Sequence, residues 1–107
     1  NNGNMKRDFT YIDDVIFGIK AAIDKNYKCE IFNLGNNKSE KIIRLVEIIE
    51  KELKIDANIN FKPMQPGDVK NTFADISKSN EMLSYFPSYN IDDGMKRFIN
   101  WYQSYYL

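Results

Sequence analysis

The sequence predicts an α/β fold: a small sheet of short strands with about four helices. Two patterns predict it. Short apolar runs bounded by Gly, Pro and Asn alternate along the chain with longer segments whose apolar residues recur at helical spacing. The totals then bound the size: 107 residues, 43% hydrophobic and 28% charged, suit one folded domain. Three or so short strands cannot make a large sheet, so one side of it is expected to need strands from elsewhere.

Residues 8–12 read as the first short strand. From Asp13 the period changes, and Val15, Ile16, Ile19, Ala22 and Ile23 share a helical face, predicting a helix over 13–25. Asp13 is expected to cap it, and Lys25 suits its C-terminal dipole. Residues 30–34, EIFNL, form the next strand candidate, punctuated by Gly35, Asn36 and Asn37. Ser39 and Glu40 then look like the start of a helix over 40–54, with Ile42, Val46, Ile49 and Leu53 in register. Ile59 and Phe61 alternate with polar neighbours, giving a strand near 58–62. Pro63, Pro66 and Gly67 make 63–70 a loop.

Phe73 and Ile76 flank a further extended stretch. Ser77 is expected to cap a short helix carrying Met82 and Leu83, which Pro87 stops. Asn90 with an acid three residues on is a capping-box variant. It opens a last helix with Met95, Phe98, Ile99, Tyr102 and Tyr106 on one face.

Lys+Arg and Asp+Glu both total 15, so the net charge is zero. That argues against a dedicated nucleic-acid binder, which carries a basic surplus. Histidine is absent, which removes every imidazole mechanism. Cys29 is the one cysteine, so no disulfide framework exists and a reducing cytoplasm is the expected compartment. No apolar run approaches the ~20 residues of a membrane helix. The start, NNGNMKRD, is polar, lacks a signal-peptide core and holds Met5 inside the chain, so a fragment of a longer protein is expected.

Few residues could carry chemistry. Arg7, at the mouth of the first strand, offers a fork of donors that suits phosphate or carboxylate. A salt bridge to Asp8, Asp13 or Asp14 explains it as well, and on position alone is the favoured reading. Asp13 and Asp14 could be paired carboxylates, but helix capping accounts for both, and neighbours on a helix diverge by about 100°. In MQPGDVKNTFAD, residues 64–75, a backbone constrained by Pro66 and Gly67 brings Gln65, Asp68 and Asn71 near one another. Such a loop is either a polar binding surface for hydroxyl and oxygen groups or an ordinary turn. FNLGNN lacks the glycine spacing of a phosphate loop and reads as a connection. Cys29 has no histidine partner for a catalytic thiol. The WYQSYYL tail reads as an amphipathic helix rather than a base-stacking platform.

Taken together, RDFTYIDD, IFNLGNN, QPGDVKNTFAD and the aromatic last helix resemble the C-terminal part of extended short-chain dehydrogenase/reductase enzymes, the NAD-dependent epimerase/dehydratase family. Within it the sequence is most similar to the nucleotide-sugar epimerases of the UDP-glucuronate 4-epimerase branch. The likeness runs from about Arg7 to Tyr106. The resemblance implies that residues 1–107 are a substrate-binding lobe without its N-terminal dinucleotide-binding domain. It implies that Arg7 contacts the diphosphate of a UDP-sugar and Asp68 the ribose hydroxyls. Many relatives carry an arginine two residues before the Gly-Asp pair. Here Gln65 stands there, so a second charged clamp is lost.

The family's catalytic parts are a glycine-rich fingerprint and a Tyr-x-x-x-Lys pair. The five glycines, at 3, 18, 35, 67 and 94, are scattered, and no tyrosine has a lysine four residues on. The resemblance therefore implies NAD in the parent enzyme, no NAD on this chain, and no catalysis by it alone. Two alternatives stand beside this reading. One is a related dehydratase or decarboxylase. The other is a free-standing interaction module, for which a homodimer through uncovered apolar surfaces is expected.

Overall fold

The computed structural model describes residues 1–107. In order, it has strand β1 (Lys6–Asp8), helix α1 (Ile12–Lys25), strand β2 (Ser39–Lys41), and helices α2 (Ile42–Leu53), α3 (Ser77–Leu83) and α4 (Ile91–Tyr106). The α/β class and the four helices match the sequence reading. The sheet is smaller than expected. β1 and β2 pair antiparallel, with Lys6 opposite Lys41, Arg7 opposite Glu40 and Asp8 opposite Ser39.

On the other edge of β1, residues 70–72 run parallel to it. The Lys6 amide donates to the Lys70 carbonyl at 2.9 Å, and the Thr72 amide donates to the Lys6 carbonyl at 3.2 Å. A continued parallel ladder would send the Asp8 amide to the Thr72 carbonyl. It goes instead to Thr72 Oγ1 at 3.0 Å, which ends the ladder there.

Several boundaries differ for local reasons. The first strand lies at 6–8 rather than 8–12, because the chain has already begun to turn into α1. Ser39 does not cap a helix but sits in β2, and α2 starts after Lys41 without a side-chain cap. Asp13 lies inside the first turn of α1 rather than at its cap, which is Tyr11. Ser77 is likewise the first residue of α3, with Ile76 at the cap. Segments 30–34, 58–62 and 73–76 form no ladder. Alternating apolar residues favour extended backbone, but a strand exists only where a neighbouring edge pairs with it. The Asn90 cap is as expected: its side chain accepts from the Asp93 amide at 2.8 Å.

α1 packs against α3, and α2 against α4. Ile76, Leu83 and Tyr85 form a buried cluster, covered by Ala21, Ala22, Phe32, Leu34 and Ala74. Ile48 of α2 and Ile91 and Ile99 of α4 are also buried. Only part of the predicted apolar stripe of α1 is turned inward: Ala22 covers the cluster and Val15 is half-buried. Asp14 and Gly18 are buried, whereas Ile16, Ile19 and Ile23 are exposed. Gly18 allows the close approach: a Cβ there would stand 2.6 Å from Leu34 Cδ2. The molecule is a slab of 48 × 36 × 19 Å, and only 13 of its 107 residues are buried. Its radius of gyration, 16.2 Å, exceeds the ~13 Å of a compact chain this long.

Candidate functional site

The centre of β1 carries Arg7. Side chains alternate along a strand, so Arg7 projects from the face opposite Lys6 and Asp8. None of the three nearby aspartates pairs with it. Its Nη2 donates to Oδ1 of Asp68, 61 residues away, at 2.7 Å, and its Nη1 donates to the Lys6 carbonyl at 2.8 Å. The two guanidinium bonds leave three of the five N–H donors for a ligand. Arg7 is half-buried and Asp68 more open, with side chains 23% and 42% exposed, so the pair is reachable from solvent.

Asp68 is delivered by a tight turn. Its amide donates to the Gln65 carbonyl at 3.2 Å, closing Gln65-Pro66-Gly67-Asp68. Proline sets the second position, and Gly67, at φ +81°, supplies the positive φ that the third position of a type II turn requires. A Cβ on Gly67 would meet no atom, so the glycine is there for backbone conformation alone. Both bonds to the Asp68 carboxylate fall on Oδ1, from Arg7 and from the Val69 amide at 2.9 Å. Oδ2 keeps its acceptor capacity. Gln65 is exposed at the head of the same turn. Asn71, which its loop position groups with these residues, turns away and accepts a bond from Ser39 Oγ in β2.

Two carboxylates carry roles that sequence reasoning missed. Asp8 accepts from the amides of Asn36 at 2.9 Å, Asn37 at 3.0 Å and Ala74 at 3.0 Å. Asp14, paired with Asp13 in the sequence as a helix-starting residue, instead receives the amides of Ser88 at 3.0 Å and Tyr89 at 3.1 Å. Their common signal was only a run of short acids near Asn, Ser and Gly turns, whose amides need acceptors. Between the two carboxylates lies Tyr85, fully buried, whose hydroxyl donates to the Gly35 carbonyl at 2.7 Å. Burial first, then the charges of Asp14 and Asp8, push its pKa up to about 12.

The Gly35–Asn37 turn is the one glycine turn leading toward a long helix. Its amides at 36 and 37 are already taken by the Asp8 carboxylate, so it offers no cradle to a dinucleotide phosphate. The residues present do not fit NAD. A hollow of about 680 Å³ is lined by residues including Asp8, Asn33, Gly35, Thr72 and Asp75, without Arg7. A smaller one of about 240 Å³, between the β1–α1 junction and α4, is lined mainly by apolar side chains, including Phe9, Ile12, Ile91 and Phe98. No helix is long and apolar enough to cross a membrane.

Comparison with known proteins identifies the family. A family model described as GDP-mannose 4,6 dehydratase matches residues 1–98. UDP-glucuronate 4-epimerase 4 of Arabidopsis thaliana is 39% identical over 120 residues, covering 99% of this chain and 28% of that protein. An uncharacterized protein of Methanocaldococcus jannaschii is 54% identical over 102 residues, 95% of this chain and 31% of that one. The structure of UDP-glucuronic acid 4-epimerase from Bacillus cereus, in complex with UDP-glucuronic acid and NAD, superposes with a TM-score of 0.85 at 34% identity. It covers 99% of this chain and 34% of that one. The chain thus spans about a third of the length of these relatives. It belongs to the epimerase/dehydratase family of extended short-chain dehydrogenase/reductase enzymes.

Proposed function

We propose that this chain is the substrate-gripping lobe of an NAD-dependent UDP-sugar 4-epimerase of the UDP-glucuronate type, and is inactive alone. Arg7 binds the diphosphate, Asp68 the ribose hydroxyls, and Gln65 donates to ligand oxygens beside them. The observation that carries the reading is the meeting of Arg7 and Asp68 at 2.7 Å on the QPGD turn. A cation and a carboxylate with spare donor and acceptor capacity stand where one ligand could take both. With no ligand they neutralise each other. A diphosphate competes for the guanidinium with more charge and more oxygens, releasing Asp68 for neutral hydroxyls.

The residues of this chain grip and orient. We assign no redox step to them, and place the dinucleotide-binding domain and its base outside residues 1–107. Support for a missing neighbour comes from the slab shape and from the exposed apolar residues Ile12, Ile16, Phe17, Ile19 and Ile23 on α1.

The first test is to read the gene upstream of Asn1. Absence there of a glycine-rich strand-turn-helix and a Tyr-x-x-x-Lys pair would remove the proposal. In the complete enzyme, Arg7→Ala should raise KM for UDP-glucuronate roughly 10- to 100-fold, the worth of one charge-assisted contact.

The family model's dehydratase description favours a second reading, a nucleotide-sugar dehydratase or decarboxylase. A uronate has no 6-hydroxyl to eliminate, so on that substrate only decarboxylation competes with epimerisation. Proton NMR of the product separates them: an epimer keeps C6 and inverts H4, whereas a decarboxylase product is a pentose.

A further inference from the structure

We infer that Asp8 is a positioning residue for the Arg7–Asp68 site, holding Asp68 in reach of Arg7 from the opposite face of β1; the inference rests on the reading of that pair as the ligand grip. Asp8 makes no hydrogen bond or ion pair with Arg7's guanidinium or with Asp68. It instead ties three segments together at the end of β1. Oδ1 receives the Asn36 amide at 2.9 Å, and Oδ2 receives the Asn37 and Ala74 amides, each at 3.0 Å. Its own amide donates to Thr72 Oγ1 at 3.0 Å.

The consequence follows from connectivity. Segment 70–74 lies along β1 through two backbone bonds at Lys6, Asn71 accepts from Ser39 Oγ, and Ala74 packs on the buried cluster; its far-end hydrogen bonds both go to Asp8, whose amide donates to Thr72 Oγ1 and whose carboxylate accepts from the Ala74 amide. Asp68 is two residues upstream of that segment. A one-residue slip of 70–74 along β1 carries Asp68 about 3.3 Å from its present place, beyond hydrogen-bond reach of Arg7. Asp8 therefore fixes the register that creates the pair. Gly35 belongs to the same junction. A Cβ there would sit 2.3 Å from Ala74 Cβ and 3.0 Å from Asp8 Oδ2, so glycine is what lets the 35–37 turn, Ala74 and the carboxylate converge. Asparagine at position 8 keeps the shape but places an amide donor against one set of N–H groups.

The test has two arms. On the chain itself, the side-chain resonances of Arg7 report the ion pair, and Asp68→Asn gives their unpaired position. Asp8→Asn should move them most of the way there. Arg7 resonances that stay native while the Asn37 and Ala74 amides exchange freely would overturn the inference. If Asp8→Asn does not fold, Thr72→Val removes the other tie between Asp8 and the segment, the bond from the Asp8 amide, and is read by the same rule.

In the complete enzyme, Asp8→Asn should raise KM for UDP-glucuronate roughly tenfold at nearly unchanged kcat. Combined with Arg7→Ala it should add nothing further, because the grip is already gone. Additive effects would mean that Asp8 acts through general stability, and would overturn the assignment. An Arg7→Ala enzyme with unchanged KM would sink the proposed function instead, and the Arg7 resonances would still judge Asp8.

Discussion

Asp13 and Asp14 are adjacent, chemically identical and both in the first turn of α1, yet the structure gives them different weights. Asp14 is 6% exposed and accepts from Ser88 N, Ser88 Oγ and Tyr89 N at 3.0, 3.2 and 3.1 Å. Those residues lead directly into the Asn90 cap of α4, so one carboxylate fastens the entry of α4 to α1. Asp14→Ala leaves two partly buried backbone donors without an acceptor. At about 1.5–2 kcal/mol each, the loss is about 3–4 kcal/mol. For a domain of this size that lowers Tm by about 12–16 °C. Asp13 is exposed, accepts no hydrogen bond in the structure, and offers only its charge to the helix N-terminus. Asp13→Ala should cost about 0.5 kcal/mol. Urea unfolding of the two variants side by side is the assay. If Asp14→Ala falls within about 1 kcal/mol of Asp13→Ala, carboxylate-to-amide bonds are not what orders residues 88–90.

Gly35→Ala should destabilise by at least about 2 kcal/mol, because its Cβ would meet Ala74 at 2.3 Å with backbone on both sides; a near-native urea midpoint would show that the 35–37 turn yields. Tyr85 titrates near 10 when unfolded and at about 12 when folded, so the folded state keeps its proton longer. Stability should therefore hold up to about pH 10 and fall by about 2–3 kcal/mol as the pH rises toward 12. Tyr85→Phe, which loses the bond to the Gly35 carbonyl, should be about 1 kcal/mol weaker at neutral pH, draw level with the wild type between about pH 10 and 11, and be the more stable of the two, by roughly 1–2 kcal/mol, as the pH nears 12. Urea midpoints that stay parallel from pH 9 to pH 12 would contradict this. Breaking the Arg7–Asp68 pair by Asp68→Asn should cost under about 1 kcal/mol of stability, since both groups are partly solvated. A larger loss of denaturant stability would make the pair a structural bridge rather than a site waiting for a ligand.

The helices were legible because their signal is internal. α1, α2 and α4 each close their own hydrogen bonds, so a period of 3.6 and an Asn90 cap suffice to find them within a residue or two. The strands were not, because a strand is a relation between two segments. EIFNL has the composition of a strand, yet its hydrogen bonds in this molecule run between side chain and backbone rather than backbone and backbone: Asn33 Nδ2 reaches the Asp75 carbonyl at 3.4 Å, and Ser79 Oγ donates to the Asn33 carbonyl at 2.6 Å. The segment that does run beside β1, 70–72, carries Lys, Asn and Thr and looks like loop. What recruits it is its bonds to the Lys6 backbone, to Ser39 and to Asp8, which composition cannot show.

The same distinction explains the site. The type II turn could be read from Gln65-Pro66-Gly67-Asp68, since proline and glycine each dictate a φ. That Arg7 would choose Asp68 over Asp8, Asp13 or Asp14 could not be read from spacing, which favours the near acids. The choice follows from the other ties of those residues. Asp8 and Asp14 are each taken by backbone amides, and Asp13 is on a helix surface. β1 turns Arg7 away from Asp8. Arg7 is thereby left facing the one carboxylate that the QPGD turn brings forward. The apolar stripe of α1 follows the same logic. Its period was right, but the inward face is set by Asp14 and Gly18, which are fastened to residues 88–89 and Leu34, so Ile16, Ile19 and Ile23 point outward. Apolar surface that period alone assigns to a core is here left exposed, on the same molecule as a solvent-reachable Arg7–Asp68 pair.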